Sequence, residues 1–212
     1  MIDAYRSRPP RALVAAKVLL AALLVIGALF PDVGGFAGKG MAVRLPVFLA
    51  PALVVPVLWH LRGGAYPVAL DVALTVPFLL DTAANAVGLF DSVDVTDDVL
   101  HFVNWAVLVG GVTATWAARV PVPNLRWLLF IAGTGFGALA IIGWEAAEYG
   151  VMKAGVGGLS LTYADTLGDL ALSSLGGALG AALVLRAGVA TERELTQAEV
   201  ADPPSLDVTP PP

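Results

Sequence analysis

DSVDVTDDVLHFVNWAVLVGGVTATWAA (residues 91–118) opens with four aspartates and a histidine and then enters a long apolar run. From residue 98 to 118 that run can cross a hydrocarbon core of about 30 Å, which takes roughly 20 helical residues. Five further segments of similar length and character lie near 12–30, 43–61, 67–90, 126–148 and 166–186. Of the 212 residues, 58% are hydrophobic and 14% charged, and the mean hydropathy is +0.81. Ordinary soluble domains carry about 25% charged residues. The expected fold is all-α: a polytopic membrane helix bundle of about six transmembrane helices.

Basic residues orient the bundle. Arg6, Arg8, Arg11, Arg62, Arg119, Arg126, Arg186 and Arg193 fall at the N-terminus, in the 2–3 and 4–5 connections, or at the C-terminus. The other face receives Lys39, Arg44 and Lys153. Both termini are therefore expected to be cytoplasmic, with residues 91–98 and 149–164 on the outer face. The first segment follows Arg6, Arg8 and Arg11 as a signal peptide would, but it is long for an apolar h-region and contains Lys17. It also lacks a small-x-small cleavage site before Pro31, so it reads as a retained helix. Pro46, Pro51 and Pro56 recur within the second segment, where a kink is expected, with neighbours satisfying the freed carbonyls.

The expected organisation is a cytoplasmic N-terminus at 1–11, a six-helix transmembrane domain at 12–186, and a disordered acidic, proline-rich cytoplasmic tail at 187–212. Residues 191–212 carry a net −4 of the total −5. The body is thus close to neutral, and no nucleic-acid partner is expected. Cysteine is absent, which excludes disulfides, cysteine-ligated zinc, iron–sulfur clusters and a thiol nucleophile. Any metal would use oxygen and imidazole ligands.

The polar residues within the spans converge. Asp71 sits near the cytoplasmic end of segment three, where water is close. Asp81 lies roughly 13 Å below residue 90 at 1.5 Å per residue, and Asn85 is one turn further out on the same face. His101 follows Asp98 by three residues and Asp97 by four, and Asn104 and Trp105 come a turn deeper. GWEAAEYG (143–150) sets Glu145 and Glu148 on one face; YADTLGDLALSS (163–174) aligns Asp165, Asp169 and Ser173. Four helices would bring these groups to the outer third of the bilayer. A charge at the bilayer centre costs about 2.5–3.5 kcal/mol on insertion scales, so these groups must share protons, share a cation or line water.

Plainer roles stand beside this one. Asp97 and Asp98 sit where carboxylates cap a helix, and Asp91 and Asp94 read as solvated loop charges. Asn85, Asn104 and Ser173 serve equally well as interhelical hydrogen-bond partners. His60, beside Arg62, reads as interfacial. Gly176 and Gly180 read as packing notches for close helix approach, and Trp105, Trp144 and Tyr149 fit an interfacial aromatic belt. For His101, Glu145, Glu148, Asp165 and Asp169 the pattern is harder to explain structurally. Carboxylates at i, i+3 and i, i+4 joined by a histidine are the ligand arrangement of metal-binding bundles. The candidate ligands are Asp98, His101, Glu145, Glu148, Asp165 and Asp169, with Asp81, Asn85, Asn104 and Ser173 as supporting polar groups. The cofactor expected is a divalent cation: manganese, iron, zinc or magnesium.

At these residues the chain resembles the YjdF-like family of bacterial inner-membrane proteins and, more distantly, the VanZ-like superfamily associated with glycopeptide resistance. The resemblance rests on WEAAEYG (144–150), YADTLGDL (163–170) and the acidic stretch ending in Asp98 and His101. It covers roughly residues 67 to 186. The VanZ-like pattern has Asp-Lys before a histidine, Glu-x-x-Gln, and an aspartate followed by asparagine and glycine. Here Asp98 stands in place of the lysine, Glu148 of the glutamine and Ser173 of the asparagine. The arginine usually preceding the final aspartate is missing, so the site is more acidic. The resemblance implies a multi-pass protein of the bacterial plasma membrane.

The leading functional expectation is an enzyme whose divalent cation acts on a lipid head group or lipid-linked envelope precursor, with Glu145, Glu148 and His101 as catalytic groups. Against it, no basic phosphate clamp is evident: Lys153 alone lies nearby in sequence on that face, and Arg44 is placed elsewhere. A proton- or cation-coupled transporter comes second, with Asp71 and Thr75 as the polar candidates toward the cytoplasm. A structural or assembly protein is the third possibility.

Overall fold

A computed structural model describes residues 4–120, 126–157 and 161–201, with backbone alone beyond residue 188. Its helices are α1 (Arg11–Leu29), α2 (Met41–Arg62), α3 (Val68–Ala73), α4 (Val76–Ala86), α5 (Leu89–Ser92), α6 (Thr96–Ala117), α7 (Arg126–Lys153) and α8 (Tyr163–Ala201). Six candidate spans result, because α3 and α4 together form the third and α8 spans as far as Gly188. The protein is an all-α, multi-pass membrane bundle. Its outer surface is apolar, with Val18 65% and Leu139 74% exposed, as contact with hydrocarbon rather than water requires.

α6 is the centre of the bundle, packing on α3 and α4 on one side and on α7 and α8 on the other, while α1 packs on α2 and α4. Small residues set the closest approach. A Cβ at Gly176 would lie 2.0 Å from the Phe102 carbonyl oxygen, and one at Gly180 would lie 2.1 Å from that of Ala106. The backbones of α6 and α8 therefore touch where these glycines fall, as small-residue motifs allow between membrane helices.

The third span is not the single helix that its hydropathy predicts. It breaks at Leu74 and Thr75, because Pro77 has no N–H and its ring excludes the carbonyl four residues earlier. α2, by contrast, stays continuous across three prolines. Pro56 leaves the Ala52 carbonyl without a helical donor, and the Lys17 ammonium donates to that oxygen. Lys17 also donates to Asp71 Oδ1 and Thr75 Oγ1, each at 2.7 Å.

The Tyr66 hydroxyl donates to the other Asp71 oxygen, and the tyrosine itself is enclosed. Burial and the neighbouring carboxylate hold the Tyr66 phenol well above the ordinary tyrosine range, so it stays a donor. Asp71 is fully buried, not close to water as its position near the span end suggests. The reason is that Lys17, one helix away, reaches across to neutralise it.

Residues before α1 are tied to this corner as well. The Arg6 N–H donates to the Tyr66 carbonyl at 3.0 Å, and the Tyr66 N–H donates back. At the C-terminal end α8 continues as helix to Ala201 through helix-favouring Glu, Leu, Gln and Ala; residues 202–212 of the tail read as disordered lie outside the described residues.

Candidate functional site

At the end of the bundle opposite Arg11, α6 and α8 meet along their glycine seam and bring three groups together. Asp97 and His101 are one turn apart on α6, and Asp169 faces them from α8. His101 Nε2 lies 3.9 Å from Asp97 Oδ1 and 3.6 Å from Asp169 Oδ1, and one donor atom from each residue falls within 4.8 Å of the others. His101 Nδ1 is 3.0 Å from Ser173 Oγ. If Nδ1 carries the proton and donates to the serine, Nε2 presents a lone pair toward the two carboxylates. That is how an imidazole ligand is ordinarily oriented by a partner behind it.

The three residues fit a divalent cation in donor type, two carboxylates and one imidazole. Glu145 reinforces the fit. It is 6% exposed, and both its oxygens are enclosed without a hydrogen-bond partner. A carboxylate so enclosed must be neutralised, by a nearby cation or by a proton.

Asp169 and Ser173 are buried, His101 and Asp97 partly so. Asp98 is exposed and stands outside the group. Both aspartates are within one turn of His101 on the helix, so it is the packing of α6 on α8 that turns Asp97 inward and leaves Asp98 exposed.

The group opens into a cavity of about 470 Å³. Glu148 on α7 and Asp165 on α8 line it, as do Asp81, Asn85 and Asn104, whereas Glu145 lies behind the wall. Arg44, which the sequence reading sets apart, is in that wall too: its Nη1 donates to Asp81 Oδ2 at 2.8 Å. Asn85 Nδ2 donates to the same Asp81 oxygen at 3.2 Å. Lys39, beside Arg44 at the rim, pairs with Asp91 at 2.6 Å. Asp91 is thus a salt-bridged rim residue and not simply a loop charge. Lys153 instead stacks over Tyr149, 5.3 Å from its centroid.

Below the polar groups comes an aromatic tier. Phe48 on α2, Phe78 on α4 and Trp144 on α7 meet with centroids 5.1, 6.0 and 6.1 Å apart. Deeper still, Pro51, Leu74, Pro77, Leu108, Phe136 and Ala140 make the wall apolar. Two of the charged residues that sequence reasoning missed, Arg44 and Lys17, share one available signal. Each is a cation near a span end whose complementary aspartate lies at matching depth in segment three.

Comparison with protein-family models, with curated proteins and with solved structures finds no match. What defines the chain is therefore its own architecture: a six-span membrane bundle with a carboxylate–imidazole group at one end.

Proposed function

We propose that this is a bacterial plasma-membrane protein, oriented with both termini in the cytoplasm, that holds a divalent cation at Asp97, His101 and Asp169. With that cation bound, the site would act on a lipid head group or lipid-linked envelope precursor in the outer leaflet. The YjdF-like and more distant VanZ-like resemblance belongs to this proposal. One observation carries it: a cation-competent group opens into a cavity whose deeper wall is apolar. That apolar wall within the bundle suits the hydrocarbon of a lipid. The bound cation would supply Lewis-acid polarisation of a phosphoryl or acyl oxygen, or an activated water. Glu148, in the cavity wall, is placed to take or return a proton. Ser173 holds the His101 ring, and Glu145 would add negative charge to balance the cation.

The test is equilibrium binding of Mn²⁺ and Zn²⁺ to chelator-stripped purified protein. The expected result is one ion per chain, with binding lost in Asp169→Asn and His101→Ala. Ser173→Ala should weaken affinity by about 10–100-fold, the usual cost of losing the partner that orients a ligand histidine. Absence of stoichiometric binding in the native protein would sink the metal reading.

A transport reading has one observation in its favour. The third span is broken at Leu74–Thr75, and Leu74 and Pro77 beside the break line the cavity; discontinuous helices often form transporter sites. Proton- or cation-driven flux in liposomes that disappears with Asp81→Asn would favour it over the enzyme.

A further inference from the structure

The cavity has three chemically distinct parts, and their order matches one kind of molecule. At the rim, Lys39 and Arg44 come from the α2 side. Arg44 uses Nε on the Lys39 carbonyl and Nη1 on Asp81; a guanidinium carries five N–H donors, so further donors remain for a phosphate oxygen. On the other walls, carboxyl groups from α6, α7 and α8 dominate. Five carboxyl side chains line the cavity against those two bases, and one divalent ion does not reverse that imbalance.

An all-anionic head group is therefore disfavoured, while an ammonium is welcome. The Asn104 carbonyl oxygen, one turn below His101 and in the same wall, is enclosed without a hydrogen-bond partner. Turned toward the cavity that its residue lines, it would accept from an N–H donor. The third part is the apolar floor beneath the aromatic tier.

The way in is sideways. α2 packs on α1 and α3, while α7 packs on α6 and α8, and the cavity lies between these two groups. A second, smaller cavity of about 70 Å³ opens along the same α2–α7 seam, lined by Val47, Ala147 and Val151. Val47 and Ala147 are both exposed on the outside of the bundle. A molecule already in the bilayer can therefore approach the cavity between α2 and α7, where the Phe48–Trp144 contact is what its chain must part to reach the apolar floor.

We infer that the cavity seats an aminophospholipid, its phosphate on Arg44 and Lys39, its primary ammonium among Glu148, Asp165 and Asn104, clear of the Asp97–His101–Asp169 group, and an acyl chain on the apolar floor. This rests on the lipid half of the function proposed above and names the class of head group. It does not require the metal.

The experiment is calorimetric titration of the full chain in a neutral maltoside detergent. The ligands are lysophosphatidylethanolamine, lysophosphatidylglycerol and lysophosphatidylcholine of one chain length, together with dodecylamine and free phosphoethanolamine. Each is run with EDTA and again with Mn²⁺. The ethanolamine lipid should bind about tenfold or more tighter than the glycerol lipid, a difference of one decade in Kd. It should also outbind the choline lipid, whose quaternary nitrogen has no N–H. Asp165→Asn, at an exposed position, should narrow the preference over the glycerol lipid, with an unchanged thermal melt showing that the fold is kept. Arg44→Gln should weaken all three phospholipids but not dodecylamine.

Equal or tighter binding of the glycerol lipid would overturn the assignment. So would phosphoethanolamine binding as tightly as its lipid, which removes the chain, or dodecylamine matching the ethanolamine lipid, which removes the phosphate. Ethanolamine selectivity in EDTA without any Mn²⁺ binding would end the metal reading and leave this one standing. Mn²⁺ binding without lipid selectivity would do the reverse.

Discussion

Replacing Gly176 with leucine should separate α6 from α8 and remove the site, with the folded yield in detergent falling sharply. The atom in the way is a backbone oxygen, that of Phe102, 2.0 Å from where the first side-chain carbon would sit. A backbone cannot swing aside as a flexible side chain does, so the helices must part. Overpacking of this kind typically costs about 1–3 kcal/mol, sometimes more. Phe102 neighbours His101, and Gly176 follows Ser173 by less than a turn; the same displacement therefore pulls apart the His101–Ser173 and His101–Asp169 pairs. Gly176→Ala should fold less stably and lose cation affinity, whereas Gly143→Ala, with nothing within 4 Å, should be silent. Size-exclusion profiles, thermal melts and Mn²⁺ titration report all three. A Gly176→Leu protein with native melting and native cation binding would refute the close approach.

The second large effect concerns the buried ion pair at the other end. Lys17→Met should destabilise the protein by about 3–5 kcal/mol, because it strands a buried carboxylate. It also leaves the Ala52 carbonyl beside Pro56 without the donor it now has. The double variant Lys17→Met, Asp71→Asn should recover much of the loss, since the stranded charge is gone. Recovery should be incomplete, because the Ala52 oxygen stays unsatisfied. Melting temperatures of the two single variants and the double variant form the cycle. Additive losses, with no recovery in the double variant, would mean that Lys17 and Asp71 do not act as a pair.

The spans were legible because a bilayer imposes a one-dimensional requirement, about 20 apolar residues in a row, that hydropathy reads directly. The convergence of His101, Asp169 and Ser173 was legible too, since alternating direction through six spans fixes which helix ends share a face. Rotation about each helix was not. Asp97 and Asp98 are adjacent in sequence yet point about 100° apart, and only packing on α8 decides which joins His101. Glu145 and Glu148 share a helix face, but the cavity wall takes Glu148 and leaves Glu145 behind it. The Lys17–Asp71 pair was hidden for a different reason. Each charge, taken alone, looks like an interfacial residue near a span end, and only the packing of α1 beside the broken third span reveals them as partners. Pro77 announced that break, but in a membrane segment a proline is as often absorbed as obeyed; α2 absorbs three.

The short backbone pairing between Arg6 and Tyr66 reaches further than its size suggests. Tyr66 uses its backbone to hold the residues ahead of α1 and its hydroxyl to hold Asp71, and Asp71 in turn holds Lys17. Those few residues form the first link of a chain of donors that ends inside the bilayer at the Ala52 carbonyl. Anyone fusing a reporter to this protein should join it ahead of Ala4 and leave residues 4–8 as they are. A junction placed closer to Arg11 would cut that link from outside the membrane.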